Sequence, residues 1–161
     1  MNSKQKSTIQ ALTGGKFRLH LLKNLPMGLL AGLKIENVTK EACTTSVPFK
    51  WLNKNPFKSM YFAVQSMAAE LSTATTCLVA TLGHQSSIAF IIVDCKAQFL
   101  KKATEKVYFT CSDADQAFDA VKKCQESDEA VIKTFKTTGK QKDGTVVAEF
   151  EFTWSFKRRS S

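Results

Sequence analysis

Hydrophobic and polar positions alternate most regularly near the end of the chain. From residue 146 to residue 157, every second residue is apolar and most of the residues between them are polar or charged. A period of two places one set of side chains on one face of a β-strand, so this segment predicts a strand with one buried face. Stretches rich in β-branched, aromatic or alternating residues predict further strands over 33–40, 42–51, 88–100, 105–111 and 130–138.

A different pattern fills the middle of the chain. Between Ser59 and Leu82 the only charged residue is Glu70, and apolar or small residues fall on every side of a helix. Such a helix is either buried in protein or spans a membrane. Its many Ser, Thr and Gln residues argue against a membrane span, and Gly83 stands where a helix C-cap glycine belongs. We therefore predict a buried central helix over about 57–82.

Helical spacing also occurs before the first strand and between two later strands. Apolar residues over 16–31 are interrupted at Pro26, which predicts one helix to about Leu25 and a short one after it. Residues 114–125 have the pattern of a short amphipathic helix. This order of elements predicts an α+β domain in which a curved antiparallel sheet wraps around the long helix.

The composition is that of a globular domain. The chain has 161 residues, of which 43% are hydrophobic and 23% are charged, close to globular averages. We expect a single domain over 1–161, with residues 1–13 flexible and residues 158–161 forming a basic tail. The pattern of a signal peptide is absent, as is an apolar run of about 20 residues long enough to span a bilayer. These features predict a cytoplasmic protein.

Cysteine and histidine usage predicts neither disulfides nor a metal site. The five cysteines are scattered without a CxxC pair, and the two histidines have no cysteine or histidine neighbours. We expect reduced, buried thiols and no metal.

The formal net charge is +9, and residues 1–50 carry +6 of it through eight Lys or Arg and two Glu. A basic protein favours an anionic partner, which can be nucleic acid, a membrane surface or a phosphate-bearing molecule. Because the chain has no helix-turn-helix, zinc-finger or RNA-binding signature, nucleic acid is the least favoured of these partners.

The order of elements resembles the hotdog fold, in which a curved antiparallel sheet wraps one long helix. The start of the predicted central helix is similar to a motif of hotdog thioesterases of the phenylacetate-degradation type, N-x-x-G-x-x-H-G-G followed by an acid on the helix. The motif positions are held here by Asn55, Lys58, Tyr61, Phe62 and Ala63, followed by Glu70. The same stretch also resembles an uncharacterised hotdog family that is described as thioesterase-like.

Two motif positions, Asn55 and Glu70, keep the family's chemistry, whereas Lys58 replaces the glycine and Tyr61 replaces the histidine. The resemblance implies a thioesterase that acts on acyl-coenzyme A or acyl-carrier protein, with coenzyme A as part of the substrate and no separate cofactor. It also implies a homodimer or tetramer whose site lies between subunits. The replacements leave open a non-catalytic hotdog protein that binds an acyl group or a lipid.

The resemblance assigns roles to individual residues. Glu70 and Asn55 would be the catalytic pair, in which Glu70 activates water or attacks the carbonyl and Asn55 positions one of the two. The substrate-binding residues would be Tyr61, Phe62 and Ala63. Helical spacing adds Ser66 and Thr73 to them, because these two residues lie one turn either side of Glu70 and can hold a water or orient the carboxylate. Aromatic residues that would line an acyl tunnel are Phe57, Phe62, Phe90 and Phe99, and lysines that would meet phosphates are Lys96, Lys101 and Lys102.

Each of these residues also has an ordinary structural interpretation. A buried carboxylate needs a partner or a raised pKa, so Glu70 is either a general base or a core residue that is bonded to a hydroxyl or a lysine. Asn55 precedes a proline and can stabilise a turn or cap the helix. Tyr61 can be a packed aromatic residue. Ser66 and Thr73 can serve close packing.

Overall fold

The computed structural model describes residues 1–84, 86–126 and 129–159. Within these residues, five α-helices are formed by Ser3–Thr13 (α1), Lys16–Asn24 (α2), Pro26–Ala31 (α3), Phe62–Thr81 (α4) and Asp115–Glu126 (α5). Six strands are formed by Lys34–Val38 (β1), Cys43–Val47 (β2), Ile88–Phe99 (β3), Val107–Cys111 (β4), Val131–Lys140 (β5) and Val146–Arg158 (β6). A short 3₁₀ helix, Trp51–Asn53, precedes α4. Within the described residues, no helix is long and apolar enough to cross a membrane.

The strands form one antiparallel sheet in the order β1-β2-β4-β5-β6-β3. The alternation predicted for the last strand is confirmed, because Phe150, Phe152, Trp154 and Phe156 of β6 are all buried. These aromatic side chains form the inner face of the sheet, which packs against α4 and α5. The predicted architecture of a sheet around a long helix is therefore present.

The central helix is shorter at its start than the sequence predicts. It begins at Phe62 rather than near Phe57, and it ends at Thr81. Gly83 follows it with φ +77°, a conformation that glycine adopts without strain. The reason for the late start is a set of long-range backbone bonds, because the Met60 amide donates to Ala103 O at 2.7 Å. That bond, with the bond from the Tyr61 amide to Asn53 O at 2.8 Å, holds the end of the preceding loop outside the helix.

Two other expectations need correction. Residues 1–13, expected to be flexible, contain helix α1, whose Gln5 and Leu12 are buried. Asn2 caps this helix through a reciprocal pair of bonds with Gln5, which local polarity alone does not reveal. All five cysteines are free thiols, but Cys95 is exposed on β3 rather than buried.

Candidate active site

The loop before α4 is organised by the side chain of Asn55. Its Oδ1 accepts hydrogen bonds from the Phe57 amide (3.0 Å), the Ser59 amide (3.2 Å) and the Ser59 hydroxyl (3.2 Å). Its Nδ2 donates to Met60 O at 3.5 Å. The Asn55 side chain therefore stabilises the turn, which is the structural interpretation of an Asn before a Pro.

Lys58 lies in this loop at the motif position of a glycine, and its backbone has a conformation that glycine adopts without strain. Its φ is +59°, the only positive value among the described residues other than glycine. This left-handed region disfavours side chains that carry a Cβ. A glycine would therefore fit this position of the loop with less backbone strain than the lysine that occupies it.

The loop leads into α4, and the N-terminus of this helix has no side-chain cap. Tyr61 is the N-cap residue, and its side chain makes no capping bond. The Val64 and Gln65 amides both donate to Tyr61 O, at 3.1 and 3.2 Å. The Phe62 and Ala63 amides have no acceptor among the described residues. Two free amides at a helix N-terminus can stabilise a developing negative charge on a carbonyl oxygen.

A cavity of about 580 Å³ opens beside this helix N-terminus. One wall is the loop and the first turn of α4, and the other is the end of β3 and the segment that follows it. Its lining residues include Asn55, Phe57, Tyr61, Phe62, Gln65, Phe99, Lys101 and Lys102. Of the four phenylalanines expected to line a tunnel, only Phe90 lies elsewhere, packed against Trp154 and Phe156. Of the three lysines expected to meet phosphates, Lys96 is absent from this lining.

Gln65 is a cavity residue that the sequence did not single out. It is 4% exposed, and its Nε2 donates weakly to Met60 O at 3.4 Å. Its Oε1 is buried without a hydrogen-bond partner in the described residues. A buried polar atom without a partner destabilises the fold, and such atoms are unusual in folded proteins. An isolated amide in the first turns of an otherwise apolar helix is the signal that could have marked it.

Glu70 lies farther along α4 and also lacks a partner. No hydrogen bond or ion pair to its carboxylate occurs within 1–84, 86–126 and 129–159, and so none of the lysines weighed as partners reaches it. Burial raises the pKa of this carboxyl from 4.5 to about 7. Its charge contributes, after burial and Cys111, to raising the pKa of the Cys77 thiol. Glu70 is therefore a desolvated carboxyl that titrates near neutral pH.

The structure does not bring Glu70 to the cavity of the same chain. Eight residues of helix separate it from Phe62, a distance of about 12 Å along the axis at about 1.5 Å per residue. The Ser66 hydroxyl donates to Phe62 O at 2.9 Å, within the helix. The Thr73 hydroxyl donates to Glu70 O at 3.0 Å and accepts from Trp154 Nε1 at 3.1 Å. Both hydroxyls are thus engaged by the protein itself.

The side of α4 that carries Glu70 is incompletely covered. Partly exposed residues recur at helical spacing on this side, at Ala63, Ser66, Met67, Glu70 and Ala74.

The described residues contain no group of three or more His, Cys, Asp or Glu that could hold a metal ion.

Comparison with known proteins gives structural neighbours but no sequence relatives. No family model matches the chain, and no curated protein matches it. Solved structures match over nearly the whole chain. Protein PA5026 of Pseudomonas aeruginosa, a probable thioesterase, is 18% identical with a TM-score of 0.74, covering 91% of this chain and 97% of its own.

Two further structures extend the comparison. Thioesterase HI1161 of Haemophilus influenzae is 14% identical with a TM-score of 0.63, covering 87% of this chain and 88% of its own. The PaaI protein of the Escherichia coli phenylacetic acid degradation operon is 13% identical with a TM-score of 0.60, covering 91% of this chain and 94% of its own. At such identities the likeness concerns the fold and leaves the activity to be argued from the site. The chain has the hotdog fold of these thioesterase-like proteins.

Proposed function

We propose that this protein binds acyl thioesters of coenzyme A or acyl-carrier protein and hydrolyses them at a site between two copies of the chain. The observation that carries the proposal is Glu70, a partly exposed carboxyl without a partner among the described residues, whose pKa is raised to about 7 by desolvation. A general base works best when its pKa lies near the working pH, and desolvation is how proteins bring a carboxyl there.

A second copy is required because one chain keeps the reacting groups apart. Glu70 and the free amides of Phe62 and Ala63 lie about 12 Å apart along the same helix, too far to act on one carbonyl. Two α4 helices that face each other across a twofold axis would place Glu70 of one copy near the helix N-terminus of the other. The partly exposed side of α4 around Glu70 leaves room for that contact.

The free edge of the sheet supports the same assembly. Strand β3 lies at the end of the sheet and is twelve residues long. Its large apolar side chains are exposed, with Ile91 at 63% and Val93 at 50%. A long apolar edge strand left open favours pairing with another chain. Pairing of two β3 edges would join two sheets and bring the neighbouring cavities to the interface.

The chemistry of the site follows from these groups. Ionised Glu70 takes a proton from a water molecule while the water oxygen forms a bond to the thioester carbonyl carbon. The Phe62 and Ala63 amides stabilise the negative oxygen of the tetrahedral intermediate. The carbonyl then re-forms as the C–S bond breaks, and the protonated Glu70 gives its proton to the leaving thiolate, which yields an acid and a thiol and regenerates the base. Phe57, Phe62 and Phe99 would contact the apolar part of the substrate.

Gln65 and the two lysines at the cavity suit the pantetheine arm and the phosphate groups of such a substrate. The pantetheine arm carries amide N–H groups, and the buried Gln65 Oε1 is an acceptor without a donor. Lys101 and Lys102 line the cavity, and they are both exposed cations that can meet phosphate groups.

A non-catalytic acyl- or lipid-binding protein is the second candidate. It is favoured by the three hydrogen bonds that Asn55 Oδ1 already accepts within its loop, which leave this side chain little capacity to position water. In that case Glu70 would serve recognition or structure.

Hydrolysis of a panel of short, long and aromatic acyl-coenzyme A substrates tests the proposal. We expect wild-type protein to turn over at least one of them, with Glu70→Ala lowering kcat by about a hundredfold or more. The logarithm of kcat/KM should rise with pH up to about 7 and then level off, because the base must be deprotonated.

The matched control is Glu126→Ala, which removes an exposed carboxylate from α5 and should leave turnover unchanged. Saturable binding without turnover of any substrate, unaffected by Glu70→Gln, would instead establish the binding protein.

A further inference from the structure

Helix α2 places leucines on two opposite sides. Phe17 and Leu21, four residues apart, are 5% and 1% exposed and pack against the core. Leu19 and Leu22 are 69% and 60% exposed. At about 100° per residue, Leu19 lies about 200° around the helix from Phe17. The helix therefore presents an apolar stripe to the outside that the packing of its own chain does not need.

The neighbouring elements continue this exposed apolar surface. Helix α3 buries Gly28 and Ala31 and exposes Met27 and Leu30. It contacts the 3₁₀ helix, because Asn53 Nδ2 donates to Ala31 O at 2.9 Å. The residues that we call the apolar patch are Leu19, Leu22, Met27, Leu30, Trp51 and Leu52, of which Trp51 is 82% exposed. Single exposed apolar residues are common, but six on three neighbouring elements indicate an interaction surface.

Cations border this patch. Residues 1–35 contain six Lys or Arg and no Asp or Glu. On α2 itself, Arg18 lies about 100° and Lys23 about 240° around the helix from Phe17, on either side of the exposed leucines. An apolar stripe flanked by cations is the pattern of a helix that lies in the plane of an anionic membrane surface.

A cationic cavity lies beside the same helices. Its volume is about 340 Å³, and four cations line it, namely Arg18, Lys34, Lys50 and Lys106. Of these four cations, only Lys106 forms an ion pair with a described residue, namely Glu36 at 2.6 Å. Hydrogen bonds from Lys106 and Ser46 lower the pKa of Glu36, so this carboxylate is ionised and offsets one of the four charges.

Gly32 makes room for one of these cations. A Cβ at position 32 would lie 3.3 Å from Lys50 Nζ, and the φ of +81° is one that a side chain would also disfavour. The uncompensated cations at this cavity fit a phosphate group.

We infer that the apolar patch binds the surface of an anionic phospholipid membrane, with a headgroup phosphate held in the cationic cavity. Leu19 and Leu22 insert among the acyl chains while Arg18, Lys23 and Lys34 meet the anionic headgroups. This inference is independent of thioester chemistry. A second copy of the chain is disfavoured as the occupant because two cationic faces repel each other. RNA is disfavoured because its phosphates leave the exposed leucines without a partner.

Sedimentation of the full chain with vesicles tests the inference. We expect binding to vesicles of equal parts phosphatidylcholine and phosphatidylglycerol and little binding to phosphatidylcholine alone. The double variant Arg18→Glu, Lys34→Glu should lose at least about thirtyfold in affinity, since each lost cation contributes about fivefold and the new carboxylates add repulsion. Its control is Lys122→Glu, Lys123→Glu, which gives the same net charge on α5 and should bind like wild type.

The double variant Leu19→Ser, Leu22→Ser tests insertion. Both side chains are exposed, so the fold should persist, and vesicle affinity should fall by about tenfold or more at both low and high salt. Unchanged affinity would overturn the inference in favour of simple attraction to polyanions. A loss of self-association in this variant, without any vesicle binding by wild type, would make the patch a contact between copies.

A soluble anion is distinguished by a separate measurement. If inorganic phosphate raises the thermal unfolding midpoint of wild type but not of the Arg18→Glu, Lys34→Glu variant, while vesicles do not bind, the cavity is a site for a soluble phosphate and the membrane inference is wrong. The cavity would also be excluded as the headgroup site if vesicle binding is neither inhibited by inorganic phosphate nor weakened by the Arg18→Glu, Lys34→Glu changes.

Discussion

On the side of α4 that packs against the sheet, polar side chains have partners within the chain, whereas on the other side Glu70 has none. The Ser72 hydroxyl bonds with Thr137 Oγ1 at 2.9 Å, and the Thr45 hydroxyl donates to Ala68 O at 2.6 Å. Glu70 is desolvated without a hydrogen bond or ion pair in the described residues. The chain alone therefore supplies partners for the Ser72 and Thr45 hydroxyls, with Gln65 Oε1 as the exception near the helix start. On the Glu70 side, a ligand or a second copy would have to supply the partner of the carboxylate.

The largest expected effect comes from blocking the free edge of β3. Ile91→Lys places a charge on this edge, which should prevent edge-to-edge pairing. Sedimentation velocity should show a change from dimer to monomer, and thioester turnover should fall by about a hundredfold or more because the site loses its second half.

Ile132→Lys is the matched control for this variant. Ile132 and Ile91 are both 63% exposed and both pair with Ser155, but Ile132 lies on an internal strand. It should remain a dimer and keep its turnover. A monomeric Ile91→Lys protein with full turnover would place the whole site in one chain. It would also show that the Glu70 side of α4 needs no second copy.

The next effect concerns stability against pH. The pKa of Glu70 is about 7 in the folded chain and about 4.5 when unfolded, so the folded state binds more protons between these values. The contribution of Glu70 to the free energy of unfolding is therefore greatest below about pH 4.5. It falls by about 3 kcal/mol as the pH rises to 7. Glu70→Gln should lack this fall. Urea unfolding of both proteins across this pH range measures it, and parallel curves would show that Glu70 is solvated.

A third prediction concerns packing of the sheet under α4. A Cβ on Gly139 would clash with Cε1 of Phe109, whose ring is fully buried. Gly139→Ala should lower the free energy of unfolding by about 2 kcal/mol, because the ring cannot move without disturbing the core. The control Gly15→Ala adds a Cβ with no atom within 4 Å and should change stability little. Equal denaturation midpoints for wild type and both variants would show a loosely packed sheet side.

The smallest effect tests the paired polar groups on that side. In a double-mutant cycle of Ser72→Ala and Thr137→Val, the coupling should be about 1 kcal/mol, since both hydroxyls are buried. The same cycle for Thr134 and Thr153, an exposed pair at 2.8 Å, should give a smaller coupling. Equal couplings would mean that burial does not strengthen the Ser72 bond.

Most of the fold could be predicted because its signals are local. The alternation of β6 and the near-absence of charge in α4 each depend on residues a few positions apart. The start of α4 could not be predicted, because it depends on the bond from the Met60 amide to Ala103, which lies more than forty positions away. The helix over residues 1–13 was missed because its stability comes from packing and from contacts such as that of Asn2 with Leu82 O.

The candidate site was predicted in part. The resemblance marked Asn55, Tyr61 and Phe62, and these residues do line one cavity. It did not mark Gln65, whose unpartnered oxygen appears only when the loop and the end of β3 close over it. The catalytic roles of Glu70 and Asn55 stay predictions.

The sequence by itself determined the strand and helix order, the chemistry available on α4 and the excess of positive charge near the N-terminus. Each is a property of which residues occur and at what spacing. The tertiary structure decided that Glu70 is desolvated, that the Phe62 and Ala63 amides have no acceptor among the described residues, and that four cations line one cavity. These depend on which distant segments exclude water and bring charges together, and spacing along the chain does not encode that.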